Sequence, residues 1–412
     1  MNHIAIYTSN SIDKRALFEA IISNDMLNGH VSCKGRATAV FSGLIINNII
    51  EHEYKHDVFP IQTAENKSLE SMSSGQQKIA LARYLFEQNP DYMILDDIQS
   101  SIDAHTLAHL MQMIAEQASS TQYVQICYRK EDVLPFVETV LCVDESMQIT
   151  NTYSLQEFQS QFVQTSLPHA IKIPQLFDDV PFFDPLIDLR FVSLSYEQKP
   201  VLNSISWKIR PGEFWELRGP IGSGKSSLLS MIIGDNPKAY GQDMVLFGRK
   251  KGSGESIWDI KKNSGYFYPK MVQLFERQNS VQEMIISGFF DSIGLYVRPT
   301  KLQYRIANDW LHVLDDSFRT KGFQQLSPGQ QRIVLVIRAL VKHPPLLILD
   351  EPTAGLDDEN ARVFVDLISV VASYKKMAII YVSHRHEKGL QPDFVFELVP
   401  QKNGSVGKMY KK

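Results

Sequence analysis

The sequence predicts an α/β fold built twice in tandem, each copy a mixed, mainly parallel sheet flanked by helices, with the first copy truncated and degenerate. Three observations carry that prediction. A set of short motifs repeats at a constant offset. In the second half a strand-like run (214–217), a glycine-rich loop (219–227) and an apolar helix-like run (228–233) follow one another. Short apolar runs also end in paired acids, as buried parallel strands place them at their carboxyl ends.

The repeat settles the domain organisation. Met72-Ser73-Ser74-Gly75-Gln76-Gln77-Lys78-Ile79 returns as Leu326-Ser327-Pro328-Gly329-Gln330-Gln331-Arg332-Ile333. Met93-Ile94-Leu95-Asp96-Asp97 returns as Leu347-Ile348-Leu349-Asp350-Glu351, and Ser101-Ile102-Asp103 as Gly355-Leu356-Asp357. Each pair is 254 positions apart (329 − 75, 350 − 96, 357 − 103), a register that chance repetition does not hold. The expected domains are 1–164, a proline-rich linker 165–185, and 186–412.

Copy one begins almost directly on its first strand. It is short between landmarks: positions 14 to 75 are 61 apart, against 104 for 225 to 329. The linker holds Pro168, Pro174, Pro181 and Pro185, which favour extended chain. Its Ile171, Ile173, Leu176, Phe177, Phe182 and Phe183 predict that it lies packed on the domains. Copy two opens with strands at 187–196 and 204–209 and a Pro211-Gly212 turn. Buried strands follow at 346–351 and 378–383.

The loop Gly219-Pro220-Ile221-Gly222-Ser223-Gly224-Lys225-Ser226-Ser227 is a complete phosphate-binding sequence. Gly219, Gly222 and Gly224 let backbone amides curl around phosphate oxygens, with Ser223 and Ser227 in the same loop. Lys225 reaches the terminal phosphates, Ser226 can ligate magnesium, and the following helix points its positive end at the anion. Asp350 is placed to hold that Mg2+ and Glu351 to act as general base on water. His384 ends the second apolar strand, where it can touch the γ-phosphate and orient the water. Tyr196 is placed to stack on adenine or, equally in keeping with its position, to pack on an edge strand. The implied cofactors are ATP and Mg2+.

Composition limits the partners. The chain carries a formal net charge of −4 over 412 residues, so no global basic field draws it to nucleic acid or anionic lipid. Three cysteines (Cys33, Cys127, Cys142) lack metal spacing and fit a reducing compartment. No apolar run approaches the ~18 residues needed to span a bilayer. The expectation is a cytoplasmic protein, with docking at the inner face of the cell membrane left open.

Leu326-Ser327-Pro328-Gly329-Gln330 resembles the signature of the ATP-binding cassette (ABC) ATPases, and both copies carry it. The resemblance implies two nucleotide-binding domains with a signature-bearing helical subdomain, paired head to tail. Each ATP would then lie between one domain's phosphate loop and the other's signature. The run 282–296 and the run 326–357 are similar to the tandem ATP-binding proteins of the ModF type, the molybdenum-transport or photorepair group. One departure stands out. The family's glutamine after a Gly-Tyr-Val-like strand falls at Pro269, with Gln273 nearby.

Copy one reads as non-hydrolytic. Thr8, Ser11 and Asp13 replace the three glycines, and Arg15 replaces the magnesium-binding serine. Asp97 replaces the glutamate, Tyr128 stands for His384, and Lys14 keeps at most a weak nucleotide contact. Its signature is intact, however, with Ser73, Gly75 and Gln76 fitted to close over a γ-phosphate. In copy two Pro328 removes an amide from the equivalent turn. Head-to-tail pairing then gives one working composite site, from the second phosphate loop and the first signature. The expected function is ATP hydrolysis that energises or regulates transport through a membrane permease or another protein, with molybdate implied only by the resemblance. The alternatives are an ATP-dependent switch with slow hydrolysis and, less favoured by the short apolar linker, a nucleic-acid- or ribosome-acting ATPase.

Overall fold

The computed structural model describes residues 2–23, 33, 35–61, 68–100, 102–161, 174, 181–275, 279–314, 316–385 and 387–412. Its contacts divide the chain into two units, Met1–Pro168 with Gly355–Glu359, and His169–Ala354 with Asn360–Lys412.

The first unit contains β1 (Ile4–Tyr7), α1 (Lys14–Ser23), β2 (Thr38–Phe41), α2 (Gly43–His56), α3 (Ser74–Glu87), β3 (Tyr92–Asp96), α4 (Ala104–Gln117), β4 (Gln122–Cys127), β5 (Thr139–Val143), β6 (Ile149–Ser154) and α5 (Leu155–Gln161). Its sheet runs β2-β3-β4-β1-β5-β6, parallel except for the β5–β6 hairpin. All five residues of β3 are buried, as expected of a central parallel strand covered on both faces.

The second unit contains β7 (Ile187–Tyr196), β8 (Lys199–Ile209), β9 (Phe214–Arg218), α6 (Lys225–Ile232), β10 (Asp243–Leu246), β11 (Arg249–Lys250), α7 (Ile257–Lys262), β12 (Ser264–Phe267), α8 (Val281–Ser287), α9 (Lys301–Leu311), α10 (Asp316–Thr320), α11 (Pro328–Leu340), β13 (Leu346–Asp350), α12 (Asp358–Ser373), β14 (Ala378–Val382), β15 (Phe394–Val399) and β16 (Val406–Lys411). Its main sheet, β12-β13-β14-β9-β15-β16, repeats the first unit's order strand for strand. Asp96 pairs with Ile126 and Asp350 with Val382, so Tyr128 and His384 stand at matched positions, two residues beyond. The duplication read from three motifs therefore extends to the whole sheet.

Two differences follow from the length of the copies. The second unit adds a four-stranded antiparallel sheet, β11-β10-β7-β8, that has no counterpart among the described residues of the first. Between β12 and α11 it also places α8, α9 and α10, where the described residues of the first unit show one α-helix, α2, between β2 and α3.

The strand expected at 204–209 starts earlier, at Lys199. A tight turn at Glu197 and Gln198, both at positive φ, closes the β7–β8 hairpin without the usual Asn-Gly signal. Gly212 turns the chain into β9 at φ 75°, and a Cβ there would lie 2.3 Å from the Lys375 carbonyl oxygen. Most of the 165–185 linker lies outside the described residues. Of its aromatics, Phe182 is 80% exposed, contrary to the packing expected of it, whereas Phe183 packs edge-on against Phe247.

Candidate functional site

In the second unit the phosphate loop joins β9 to α6. Gly219, Gly222 and Gly224 all take positive φ (149°, 78° and 94°), the region that favours glycine. A Cβ on Gly219 would meet the Leu398 carbonyl oxygen at 2.9 Å, and one on Gly224 would meet Leu202 at 2.8 Å, so two of the three glycines are also demanded by packing. Gly224 caps α6 without any side-chain hydrogen bond. The first-turn amides of α6 are thus left to an anion. Lys225 is buried and donates to the carbonyls of Gly219 (2.7 Å) and Pro220 (3.0 Å). The Ser223 hydroxyl is buried in this cradle without a hydrogen-bond partner.

Beyond the loop, Asp350 ends β13. Burial, then the charge of Glu351, pushes its carboxyl up to about 6, with Lys225 and His384 pulling the other way. Glu351 follows at φ 45°, its amide bonded to the Val382 carbonyl at 2.8 Å. His384 Nε2 stands 3.2 Å from Glu351 Oε1. That hydrogen bond holds Glu351 below the usual glutamate range against the opposing effect of burial, helped by the charges of His384, Lys225 and Arg332. The structure therefore pairs an ionised carboxylate with an imidazole at adjacent strand ends. Asp350 and Ser226 offer a carboxylate and a hydroxyl, hard oxygen donors of the kind Mg2+ takes together with phosphate oxygens. Among the described residues no cluster of three or more His, Cys, Asp or Glu could hold a metal by itself.

Tyr196 ends β7 and is 40% exposed, which separates it from core packing. Its hydroxyl accepts from Asn236 Nδ2 at 2.9 Å, and the Lys238 ammonium lies 5.0 Å from the ring centroid.

The two signatures build the same local structure. Ser73 caps α3 and Gln76 reaches back to the Ser73 amide (3.0 Å), a reciprocal capping box; Ser327 and Gln330 do the same for α11. Gly75 is required by packing, since a Cβ there would lie 2.9 Å from Thr106 Cγ2 on α4. Outward from Gly75 and Gln76, between α3 and α4, opens a cavity of about 770 Å³. Pro328 occupies the first position of α11, where a missing amide costs no helical hydrogen bond.

The first unit's counterpart of the phosphate loop is filled by its own side chains. Asp13 Oδ1 accepts from the amides of Arg15 (2.9 Å) and Ala16 (3.3 Å), so a carboxylate holds the anion position at the start of α1. Thr8, Ser11 and Asp13 are absent from the positive-φ residues, so the backbone does not form the same cradle. Lys14 Nζ lies 3.2 Å from both oxygens of Asp96, which is 1% exposed and also accepts from Tyr128 (2.9 Å) and Ser42 (2.8 Å). Burial, then the Asp96 charge, raises the Tyr128 phenol well above its ordinary value, which keeps it a donor. Asp97 turns its carboxylate to the Ser100 hydroxyl at 2.6 Å.

Sequence reasoning missed one matched pair, Lys78 and Arg332, although both sit inside the repeated motif. Lys78 Nζ donates to the carbonyls of Asp97 (2.7 Å), Ile98 (3.1 Å) and Ser100 (2.8 Å), pinning the turn after β3. Arg332 on α11 lowers the carboxyl of Glu351 through its charge.

A family profile described as ABC transporter matches residues 202–354. The chain is 33% identical over 385 residues to the ABC transporter ATP-binding protein ModF of Escherichia coli, covering 89% of this chain and 77% of that one. It is 28% identical over 333 residues to an uncharacterised ABC transporter ATP-binding protein of Schizosaccharomyces pombe, covering 78% of this chain and 66% of the relative, so it spans just under two thirds of that protein's length. The solved structure of cbiO1 from Clostridium perfringens, part of the ABC transporter complex cbiONQ, gives a TM-score of 0.47 at 22% identity over 55% of this chain and 88% of that one.

Proposed function

The chain belongs to the family of ABC transporter ATP-binding proteins, and from that premise we propose that it binds and hydrolyses one Mg–ATP at the phosphate loop of its second unit. The observation that carries this reading is the contrast at the two helix starts. Gly224 leaves the amides of α6 uncapped, while Asp13 fills the same position before α1 with a carboxylate. Anions are favoured where amides are free and repelled where a carboxylate already sits.

Each residue then has a task. Gly219 to Gly224 wrap the phosphates, and Lys225 leaves its loop carbonyls to meet the terminal ones. Ser226 and Asp350 would hold the Mg2+, which would supply positive charge to offset that of the phosphates when bound. Glu351 accepts the proton of the attacking water, and His384 orients that carboxylate and the water. Tyr196 offers its ring to adenine. Ser73, Gly75 and Gln76 of the first signature complete the site in the head-to-tail pairing that the family resemblance implies. Closure on ATP and opening after hydrolysis would then move a permease or another protein partner.

A second reading, an ATP-dependent switch outside transport, draws support from Pro269. The residue opens the turn Pro269–Leu274 and offers no side-chain oxygen to a metal, and Gln273 is exposed. Co-purification of ATP-loaded protein with a membrane permease would count against that reading. The hydrolytic assignment is tested by Glu351→Gln, expected to retain ATP binding while turnover falls at least ~100-fold. Wild-type turnover in this variant would refute it.

A further inference from the structure

The two units treat the helix after the signature differently. At the offset of 254, Ile79, Ala80, Arg83, Tyr84 and Glu87 correspond to Ile333, Val334, Ile337, Arg338 and Val341. All five of the second set are buried (1%, 0%, 0%, 6% and 0% exposed). Arg338 and Val341 are covered by α8 and the chain after it. Arg338 donates to the Ser287 hydroxyl (2.9 Å) and the Ser292 carbonyl (3.0 Å), and a Cβ on Gly288 would lie 2.8 Å from Val341 Cγ1. In the first unit none of the five is buried, and all five line the cavity of about 770 Å³ between α3 and α4.

The uncovered face has not simply turned polar. Met72, Ile79 and Ala80 stay apolar, pack on the first unit's core and form the cavity's floor. Arg83, His105, His109 and Glu87 surround that floor and are exposed. His105 and His109, four positions apart on α4, share one face of that helix. The side chains of Arg83, His105 and His109 have no hydrogen-bond or ion-pair partner among the described residues.

We propose that this cavity binds a small organic anion with an apolar ring body. Its volume falls in the range of small-molecule sites, about 300–1,000 Å³, and such sites combine an apolar lining with a few polar groups that orient the ligand. The floor takes the ring, with the Tyr84 ring beside it for stacking. The Arg83 guanidinium matches a carboxylate, sulfonate or phosphate head, and two imidazoles add hydrogen bonds, against the single carboxylate of Glu87. A metal fits less well. His105 and His109 supply two ligands, and among the described residues no third His, Cys, Asp or Glu joins them. Gly75 and Gln76 form one wall, so the occupant lies against the first signature. The inference does not depend on which unit hydrolyses ATP.

The test uses the full chain and two fluorescent probes, the aromatic sulfonate 8-anilinonaphthalene-1-sulfonate and its uncharged analogue N-phenyl-1-naphthylamine. The sulfonate should bind saturably to the wild type. Arg83→Glu should weaken the sulfonate at least tenfold and leave the uncharged probe unchanged. Ala80→Trp, which fills the floor, should weaken both at least tenfold. Circular dichroism equal to wild type shows that each variant folds, and the exposed position of Arg83 keeps the test open if Ala80→Trp does not. Lys225→Met should leave both probes bound, because the cavity is separate from the phosphate loop. Absence of saturable sulfonate binding, or unchanged sulfonate affinity in Arg83→Glu or in folded Ala80→Trp, overturns the proposal. So does equal loss of both probes in Arg83→Glu, which would leave the anionic head unrecognised. Loss of the sulfonate in Lys225→Met would place the probe in the nucleotide site and also overturn it.

Discussion

If Lys14 is a structural cation and Lys225 a nucleotide ligand, replacing each by methionine should separate stability from binding. Asp96 is 1% exposed and accepts from Lys14, Tyr128 and Ser42. Removing one partner of a buried ion pair costs ~3–5 kcal/mol. The Lys14 side chain is 30% exposed, and two hydroxyl donors stay on Asp96, which reduces the loss to roughly 1–2 kcal/mol. Loss of the ammonium 4.7 Å from the Tyr128 ring centroid adds about 0.5 kcal/mol. With a urea dependence of ~2 kcal/mol per molar, the first unit's midpoint should fall by about 1 M. The chain supplies separate probes. All three cysteines (33, 127, 142) lie in the first unit and all four tryptophans (207, 215, 258, 310) in the second. Labelling of buried Cys127 in a urea series therefore reads one unit, and tryptophan fluorescence the other. Lys14→Met should lower the thiol midpoint and leave the tryptophan midpoint and ATP affinity alone. Lys225→Met should weaken ATP between about tenfold and 100-fold and leave the thiol midpoint alone. A drop in ATP affinity for Lys14→Met comparable with that for Lys225→Met would refute the argument.

Three further outcomes follow from the same geometry. Burial lowers the His343 imidazole to about 4, below its unfolded value near 6.5, so the unfolded chain takes up the proton first as pH falls. Stability present above pH 6.5 should be lost toward pH 4, by up to about 3 kcal/mol, in the tryptophan-detected urea midpoint, and His343→Gln should flatten that loss. Tyr196→Ala should cost roughly tenfold in ATP affinity and Tyr196→Trp should not; equal affinities in a fluorescent-nucleotide titration would return Tyr196 to a packing role. Gly75→Ala should lower both the thiol midpoint and turnover, because its Cβ meets Thr106 at 2.9 Å. Adding Thr106→Ser should restore stability alone; if turnover returns as well, the glycine serves helix packing and not phosphate.

How much of this was legible in the sequence depended on how local each constraint is. The phosphate loop, Asp350-Glu351 and the signatures are short strings in which chemistry and backbone act on neighbouring residues, and they could be read directly. The register between copies gave the sheet, because strands flanking such motifs cannot move independently. Asp13 was legible as the replacement of a loop glycine but not as a helix cap, since the cap depends on where α1 begins. The Lys14–Asp96 pair joins residues 82 positions apart, and no pattern in either neighbourhood announces it. Lys78 was hidden for the opposite reason: it lies inside a motif whose serine, glycine and glutamine already had a function. The β7–β8 turn escaped because Glu197-Gln198 carries none of the usual positive-φ residues.

The filled loop in the first unit also shows how that unit meets the charges of its own helix start and strand end without a ligand. A helix start with free amides and a buried strand-end carboxylate are each costly without a counter-charge. In the second unit those demands fit the phosphates and metal of a ligand. In the first, Asp13 supplies the anion to the amides and Lys14 the cation to Asp96, each from the loop that would otherwise have cradled the ligand. At Asp13 the substitution that removes a glycine is also the one that supplies the anion, while Lys14, the counterpart of Lys225, is kept and turned to Asp96. Reverting any one alone should destabilise the first unit without restoring nucleotide binding, because the cradle, the free amides and the open carboxylate are needed together.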